Sequence, residues 1–205
     1  MKRKFGYIKI LSALCLLIIL ASGISSCEKT DFKVMSVKEG IHGFTFEYPN
    51  NYNLIHLSLE NSPLQKYSEV GLSSLDGNSY SEIYVYIWFP DSELSSAELI
   101  TNKLVENGRN SLNDFTLVNE TTLMLGDNPA RQAVFTADSN SAYARSDNLT
   151  SNNMSISSPR PATYRITSMI YSGLAVEIDM TCDTAITDAT ADNYQHILDT
   201  FAILD

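Results

Sequence analysis

The spacing of apolar positions changes period several times along the chain, and each change marks an element. From Gly43 to Pro49 the aromatics Phe44, Phe46 and Tyr48 alternate with polar residues. That is the period of a strand, and Pro49-Asn50-Asn51 ends it. Leu54 to Leu59 and Glu69 to Leu75 carry the alternation more weakly. Ser81 to Phe89 carries it most strongly. Ile83, Val85, Ile87 and Phe89 share one face, and Tyr84, Tyr86 and Trp88 share the other. A strand apolar or aromatic on both faces is expected to be covered on both sides.

A helical period follows. Ser95 with Glu98 three residues on forms a capping box, and Leu94 and Leu99 occupy the staple positions. Ala97, Ile100, Leu104 and Val105 fall on one helix face, and Gly108 weakens the end. Phe115 to Leu125 and Ala130 to Ala137 read as strands joined by a turn at Gly126-Asp127-Asn128-Pro129. The stretch 138–162 is polar, rich in Ser and Asn, and without periodicity, so a mobile insertion is expected there. Strands resume at Tyr164 to Tyr171 and Leu174 to Cys182, joined by Ser172-Gly173. In the second of these Val176, Ile178, Met180 and Cys182 point one way, and Glu177, Asp179 and Thr181 the other. A last helix runs from an N-cap at Asp188 to Phe201, with Tyr194, Ile197, Leu198 and Phe201 at core spacing. The predicted fold class is α+β: a largely antiparallel sheet covered by helices on both faces.

The first residues differ from the rest. Lys2, Arg3, Lys4 and Lys9 precede or open a run, Ile10 to Ala21, that is apolar except for Ser12, and no acidic residue precedes Glu28. A bilayer span needs about 20 apolar residues. This shorter run reads as the core of a secretory signal peptide over residues 1–26. Ile24-Ser25-Ser26-Cys27 resembles the bacterial lipobox. The resemblance implies a diacylglyceryl thioether on Cys27 and cleavage before it, and two or three acyl chains anchor a protein stably. Residues 27–40 are then a flexible tether, and 41–205 a single domain.

Charge narrows the partners. The 205 residues carry 24 acidic and 14 basic side chains, a net of −10. Loss of the four basic residues of the signal takes this to −14. Phosphate backbones need a basic surface, so nucleic acid is excluded as a partner. Anionic headgroups repel such a surface, so the domain stands off the bilayer. Of three cysteines, Cys15 leaves with the signal and Cys27 is lipidated, leaving Cys182 as the sole thiol. Its place on an apolar strand face predicts burial as a small hydrophobe.

The layout is similar to the PsbP-like fold, an α/β/α sandwich. Three patterns carry the likeness in order: the opening Gly43-Phe44-Thr45-Phe46-Glu47-Tyr48-Pro49, the turn Leu125-Gly126-Asp127-Asn128-Pro129-Ala130, and the closing Ile197-Leu198-Asp199-Thr200-Phe201. It covers residues 41–205 without the insertion. The resemblance implies a binding or accessory module, since that superfamily includes photosystem, Ran-binding and lipoprotein members. No motif for photosystem or Ran recognition is present.

Candidate chemistry is sparse. His42, His56 and His196 are far apart and lack zinc-site spacing. His196 has Asp192 at i−4 and Asp199 at i+3, half a metal site or, more simply, a solvated helix face. Asp183, Asp188 and Asp192 are candidate calcium ligands, without the EF-hand pattern. No phosphate loop, nucleophile elbow or HExxH appears, so no catalytic residue and no cofactor is assigned. Glu177 and Asp179 share a strand face, a pairing expected by chance among 24 acidic residues. The Tyr84-Tyr86-Trp88 stripe could stack a ligand but more often packs beneath a helix. The sequons at Asn119, Asn148 and Asn153 carry no meaning in a bacterial lipoprotein. The expected function is a lipid-anchored extracytoplasmic binding or accessory module on the cell membrane. Its partners are the membrane, through Cys27, and a protein at the cell surface or in the periplasm. The alternatives are a hydrolase-type enzyme whose residues converge in the fold and a divalent-cation binder.

Overall fold

Hairpins account for most of the chain. The computed structural model describes residues 31–39, 42–58, 66–76, 79–138 and 160–204. Ten strands are present among them: β1 (Phe32–Glu39), β2 (His42–Pro49), β3 (Asn53–Ser58), β4 (Lys66–Asp76), β5 (Ser79–Trp88), β6 (Thr116–Leu125), β7 (Asn128–Asp138), β8 (Pro161–Tyr171), β9 (Leu174–Asp183) and β10 (Ala202–Leu204). Helix α1 (Ala97–Ser111) follows β5, and α2 (Thr187–Thr200) follows β9 through a 3-10 turn at Thr184–Ile186. Seven strands form one antiparallel sheet in the order β3-β4-β5-β9-β8-β7-β6, and β1-β2-β10 form a second. Residues Phe32–Asp205 make one compact unit. No helix among the described residues is long and apolar enough to cross a membrane.

Strand alternation decides which side each layer covers. Ile83, Val85 and Ile87 of β5, with Val176, Ile178, Met180 and Cys182 of β9, are buried against Tyr194, Ile197, Leu198 and Phe201 of α2 and Phe44, Phe46 and Tyr48 of β2. Phe44 stacks on Phe201 with centroids 5.9 Å apart. On the opposite side Phe135, Ala137, Ala162, Tyr164 and Ile166 pack under Leu104, Leu112 and Phe115 at α1. Each Val, Leu, Ile, Phe or Met side chain fully buried among these contributes about 1.5–3 kcal/mol. The large sheet is thus covered by a helix on each face, as the fold class requires. The Tyr194 hydroxyl, buried in the α2 layer, donates to the Ile178 carbonyl at 2.6 Å and lies 2.8 Å from Thr167 Oγ1.

Two glycines are required by the backbone. A Cβ on Gly43 would lie 2.5 Å from the Val37 carbonyl, so the β1–β2 pair closes only around glycine here. Ser172 (φ 50°) and Gly173 (φ 82°) form the two-residue turn between β8 and β9. Positive φ at both positions matches the right-handed twist of the flanking strands.

Several boundaries differ from the sequence reading. The tether expected over 27–40 is not one throughout: Phe32–Glu39 is β1, paired along its length with β2. An edge strand needs only one shallow apolar row, here Met35 and Val37, so its charge disguised it. The α1 N-cap is Ser96, whose side chain accepts from the Leu99 N–H at 3.2 Å. Ser95 and Glu98 therefore form no capping box, and Leu99 is exposed rather than stapled. Asp188 lies inside the first turn of α2, not at its N-cap. The strands flanking the expected insertion run further than read, with Asp138 paired to Pro161 and Ala137 to Ala162. The interior, 139–159, lies outside the described residues, as do Cys27 and the signal.

Candidate functional site

The face of β5 and β9 turned away from α2 concentrates the polar and aromatic chemistry. Because Ile83, Val85 and Ile87 turn toward α2, Tyr80, Glu82, Tyr84, Tyr86 and Trp88 share the other face. Register fixes their neighbours. Glu82 lies between Ser73 of β4 and Thr181 of β9, Tyr84 between Gly71 and Asp179, and Tyr86 between Glu69 and Glu177. One row further, Ser168 of β8 pairs with Glu177. The Tyr84 and Tyr86 rings are parallel, 3° apart, with centroids at 5.7 Å.

Glu82 is the centre of this face. It is 1% exposed, and its Oε2 has no hydrogen-bond partner. Burial pushes its carboxyl up to about 7, against hydrogen bonds from Tyr80 and Tyr84 that favour the charged form. Both phenols are held well above the usual tyrosine range, first by burial and then by the charge of Glu82. Tyr164, in the same row on β8, is pushed up to about 12 by burial and then by Asp138. Trp88 Nε1 and Ser168 Oγ are also buried without a partner. Of this face Tyr86, Glu82, Glu177 and Ser168 are buried, while Tyr84, Trp88, Glu69 and Asp179 are half-buried, and these four, rings beside carboxylates, suit a cationic or hydrogen-bonding group.

Sequence reasoning expected the Tyr84-Tyr86-Trp88 stripe to lie beneath a helix. Among the described residues helix α1 packs on β8 and β7, two and three strands away from β5, and of the stripe Tyr86 is buried while Tyr84 and Trp88 are half-buried. The reading also missed Glu82 and Tyr80. Period-2 alternation already placed both on the face of Tyr84, and that signal would have found them. The approach of Glu69 depends on the β4–β5 register, which composition does not reveal.

The remaining candidates fall elsewhere. His196 meets Glu47, at 3.0 Å, not Asp192 or Asp199. Asp199 accepts from Gln195 at 2.7 Å. His42 and His56 fall on β2 and β3, and their side chains lie outside the described residues. Asp183 accepts the Tyr80 N–H at 3.0 Å, so it closes the β5–β9 ladder, while Asp188 and Asp192 are exposed. Among the described residues no three of His, Cys, Asp and Glu converge as a metal site would require. Glu177 and Asp179 do share the β5–β9 face. Asn119 lies on β6, and Asn148 and Asn153 lie outside the described residues. Cys182 is buried, with the Thr190 hydroxyl donating to its sulfur at 3.2 Å. A recess of about 360 Å³ opens at the start of α1 beside Arg131. That guanidinium is already engaged by Glu120 and Thr122, each at 3.4 Å.

No family model matches the sequence, and no curated protein matches it. Solved structures do. Cyanobacterial PsbP (CyanoP) from Synechocystis sp. PCC 6803 is 12% identical, with a TM-score of 0.53 over 88% of this chain and 99% of that one. The Ran-binding protein Mog1p of Saccharomyces cerevisiae is 12% identical, with a TM-score of 0.53 over 86% and 97%. Identity this low establishes the architecture: the chain has the PsbP/Mog1 fold.

Proposed function

We propose that the chain is a lipid-anchored, extracytoplasmic binding or accessory module, attached to the cell membrane through Cys27, whose half-buried Tyr84 and Trp88 on the β5–β9 face meet a protein partner. The observation that carries the binding role is the fold shared along most of its length with a Ran-binding protein and with CyanoP. Fold alone does not transmit a ligand. The partner surface rests on the face itself, where half-buried Tyr84 and Trp88 lie beside Glu69 and Asp179. Anchoring rests on the signal pattern and on Ile24-Ser25-Ser26-Cys27.

The hydrolase reading has one observation in its favour: a carboxyl near 7 lies in the range of a general base. Glu82, however, is 1% exposed, and its tyrosine neighbours are shifted away from the reactive phenolate. The face is built to hold groups rather than to transfer protons. The test is crosslinking in native membranes with the parent chain, Cys27→Ser, and a Tyr84→Ala/Trp88→Ala variant. Cys27→Ser is expected to leave the membrane fraction, and the double variant to stay there but lose its crosslinked partner. Retention of Cys27→Ser at unchanged mass would sink the anchor. An undiminished crosslink in a folded double variant would sink the face.

A further inference from the structure

We propose that β6 is a self-association edge, on which a second copy of this chain adds antiparallel about a two-fold axis at Thr121. β6 ends the large sheet and pairs only with β7 among the described residues, so its outer row of backbone N–H and C=O groups faces outward. Edges of this kind are normally blunted by lysine, proline or shortness. β1 has Lys33 and Lys38, and β10 is three residues long. β6 is ten residues long with neither lysine nor proline. Its one charge, Glu120, is held by Arg131 of its own chain at 3.4 Å.

The choice of a second copy follows from the sequence of the strand. Val118 is 60% exposed and Met124 58%, the two most exposed apolar side chains of β6. They lie at equal distances from Thr121, so an axis there sets Val118 against Met124 of the other copy, twice. The same axis sets Glu120 against Thr122, not against its own like charge, which would be destabilising. The β6–β7 irregularity between Leu117 and Asn119 limits regular pairing to Asn119–Leu123, with the apolar pairs flanking it. One short strand pair falls below a standard interface, so the dimer is weak. Both β6 edges are consumed in it, so growth stops at two.

The domain from Glu28 to Asp205, which contains the compact unit, tests this by sedimentation from about 10 µM to about 1 mM, the range of sub-standard interfaces. The mass is expected to rise toward twice that of one chain, and Val118→Lys to weaken association at least about tenfold, the cost of a lost apolar contact, at an unchanged melting temperature. Thr121→Cys supplies an independent readout. Facing Cα atoms in an antiparallel pair are about 4.5–5.5 Å apart, within disulfide reach. Thr121→Cys should therefore form a linked dimer under mild oxidant much faster than Thr116→Cys, while buried Cys182 stays out of the reaction. A constant single-chain mass overturns the proposal, even if another protein's extended segment binds β6. Open-ended growth overturns it as well. So does a dimer in which Thr121→Cys links no faster than Thr116→Cys, because association then uses another surface.

Discussion

His196 Nε2 lies 3.0 Å from Glu47 Oε2, and this contact ties the last helix to the second strand. The Phe32 ring of β1 stacks on the imidazole with centroids 3.7 Å apart. Beside them Thr200 Oγ1 accepts the Glu47 N–H at 3.0 Å and donates to the His196 carbonyl at 2.8 Å. β10 pairs β2 only as far as Thr45, so the Thr200 hydroxyl takes over where that ladder stops. The histidine is a clasp between α2, β2 and β1.

His196→Ala should therefore loosen β1 more than it lowers global stability. Both partners are partly exposed, which limits the pair to about 1 kcal/mol. Hydrogen exchange should accelerate at the β1 amides facing β2, with a small fall in melting temperature. Unchanged exchange along Phe32–Glu39 would show that the stack does not hold the strand.

Tyr194→Phe isolates a hydroxyl at the centre of the α2 layer. Removing it takes one hydrogen bond each from the Thr167 hydroxyl and the Ile178 carbonyl, while Gln132 Nε2 still donates to Thr167 Oγ1 at 3.1 Å. The expected loss is about 1–2 kcal/mol, or roughly 2–8 °C for a domain of this size. A variant melting with the parent would mean that the Gln132 bond already made to Thr167 is enough to hold that hydroxyl without Tyr194.

Cys182→Ala tests the same layer on β9. The thiol is buried among Ile178 and Met180 and receives the Thr190 hydroxyl. Apolar burial disfavours the thiolate, so a maleimide should label the native domain slowly and the unfolded domain quickly. The substitution should cost about 1–2 kcal/mol through a small cavity and a lost acceptor. Rapid labelling of the native domain would contradict the burial.

What the sequence disclosed follows from where a signal is local. The alternation in β5 and β9 correctly divided Ile83, Val85, Val176 and Ile178 from Tyr84, Tyr86 and Glu177, because strand faces follow from period alone. The core stripe of α2 was legible for the same reason. β1 was not, since Lys33 and Lys38 on an edge resemble a tether until β2 is beside them. Nor was β10, three residues whose pairing depends on Gly43–Thr45 being in place. The helix cap moved from Ser95 to Ser96 because adjacent serines both satisfy the pattern, and only backbone geometry selects one. The candidate face was half visible: its residues shared a face in the sequence, but which strands α1 packs on is tertiary.

Glu82→Gln addresses the least ordinary group of that face. The Glu82 carboxyl is raised from 4.5 to about 7, chiefly by burial. The folded state therefore keeps a proton that the unfolded chain releases between those values. Stability contributed by the protonated group is complete below about 4.5, falls as pH rises through 7, and is flat above. A displacement of this size corresponds to about 3 kcal/mol at most. Glutamine copies the protonated shape and does not titrate. Denaturant unfolding of parent and variant across pH 4 to 9 (other carboxylates cancel in the difference) should show near-equal stability at low pH. Above neutrality the variant should be more stable, by an amount approaching that figure. Tyr80→Phe removes a donor to the carboxylate and should move the midpoint of the difference curve upward. A flat difference, or a variant weaker than the parent at pH 8, would mean that Glu82 is ionised in the folded domain and satisfied there by groups other than Tyr80 and Tyr84.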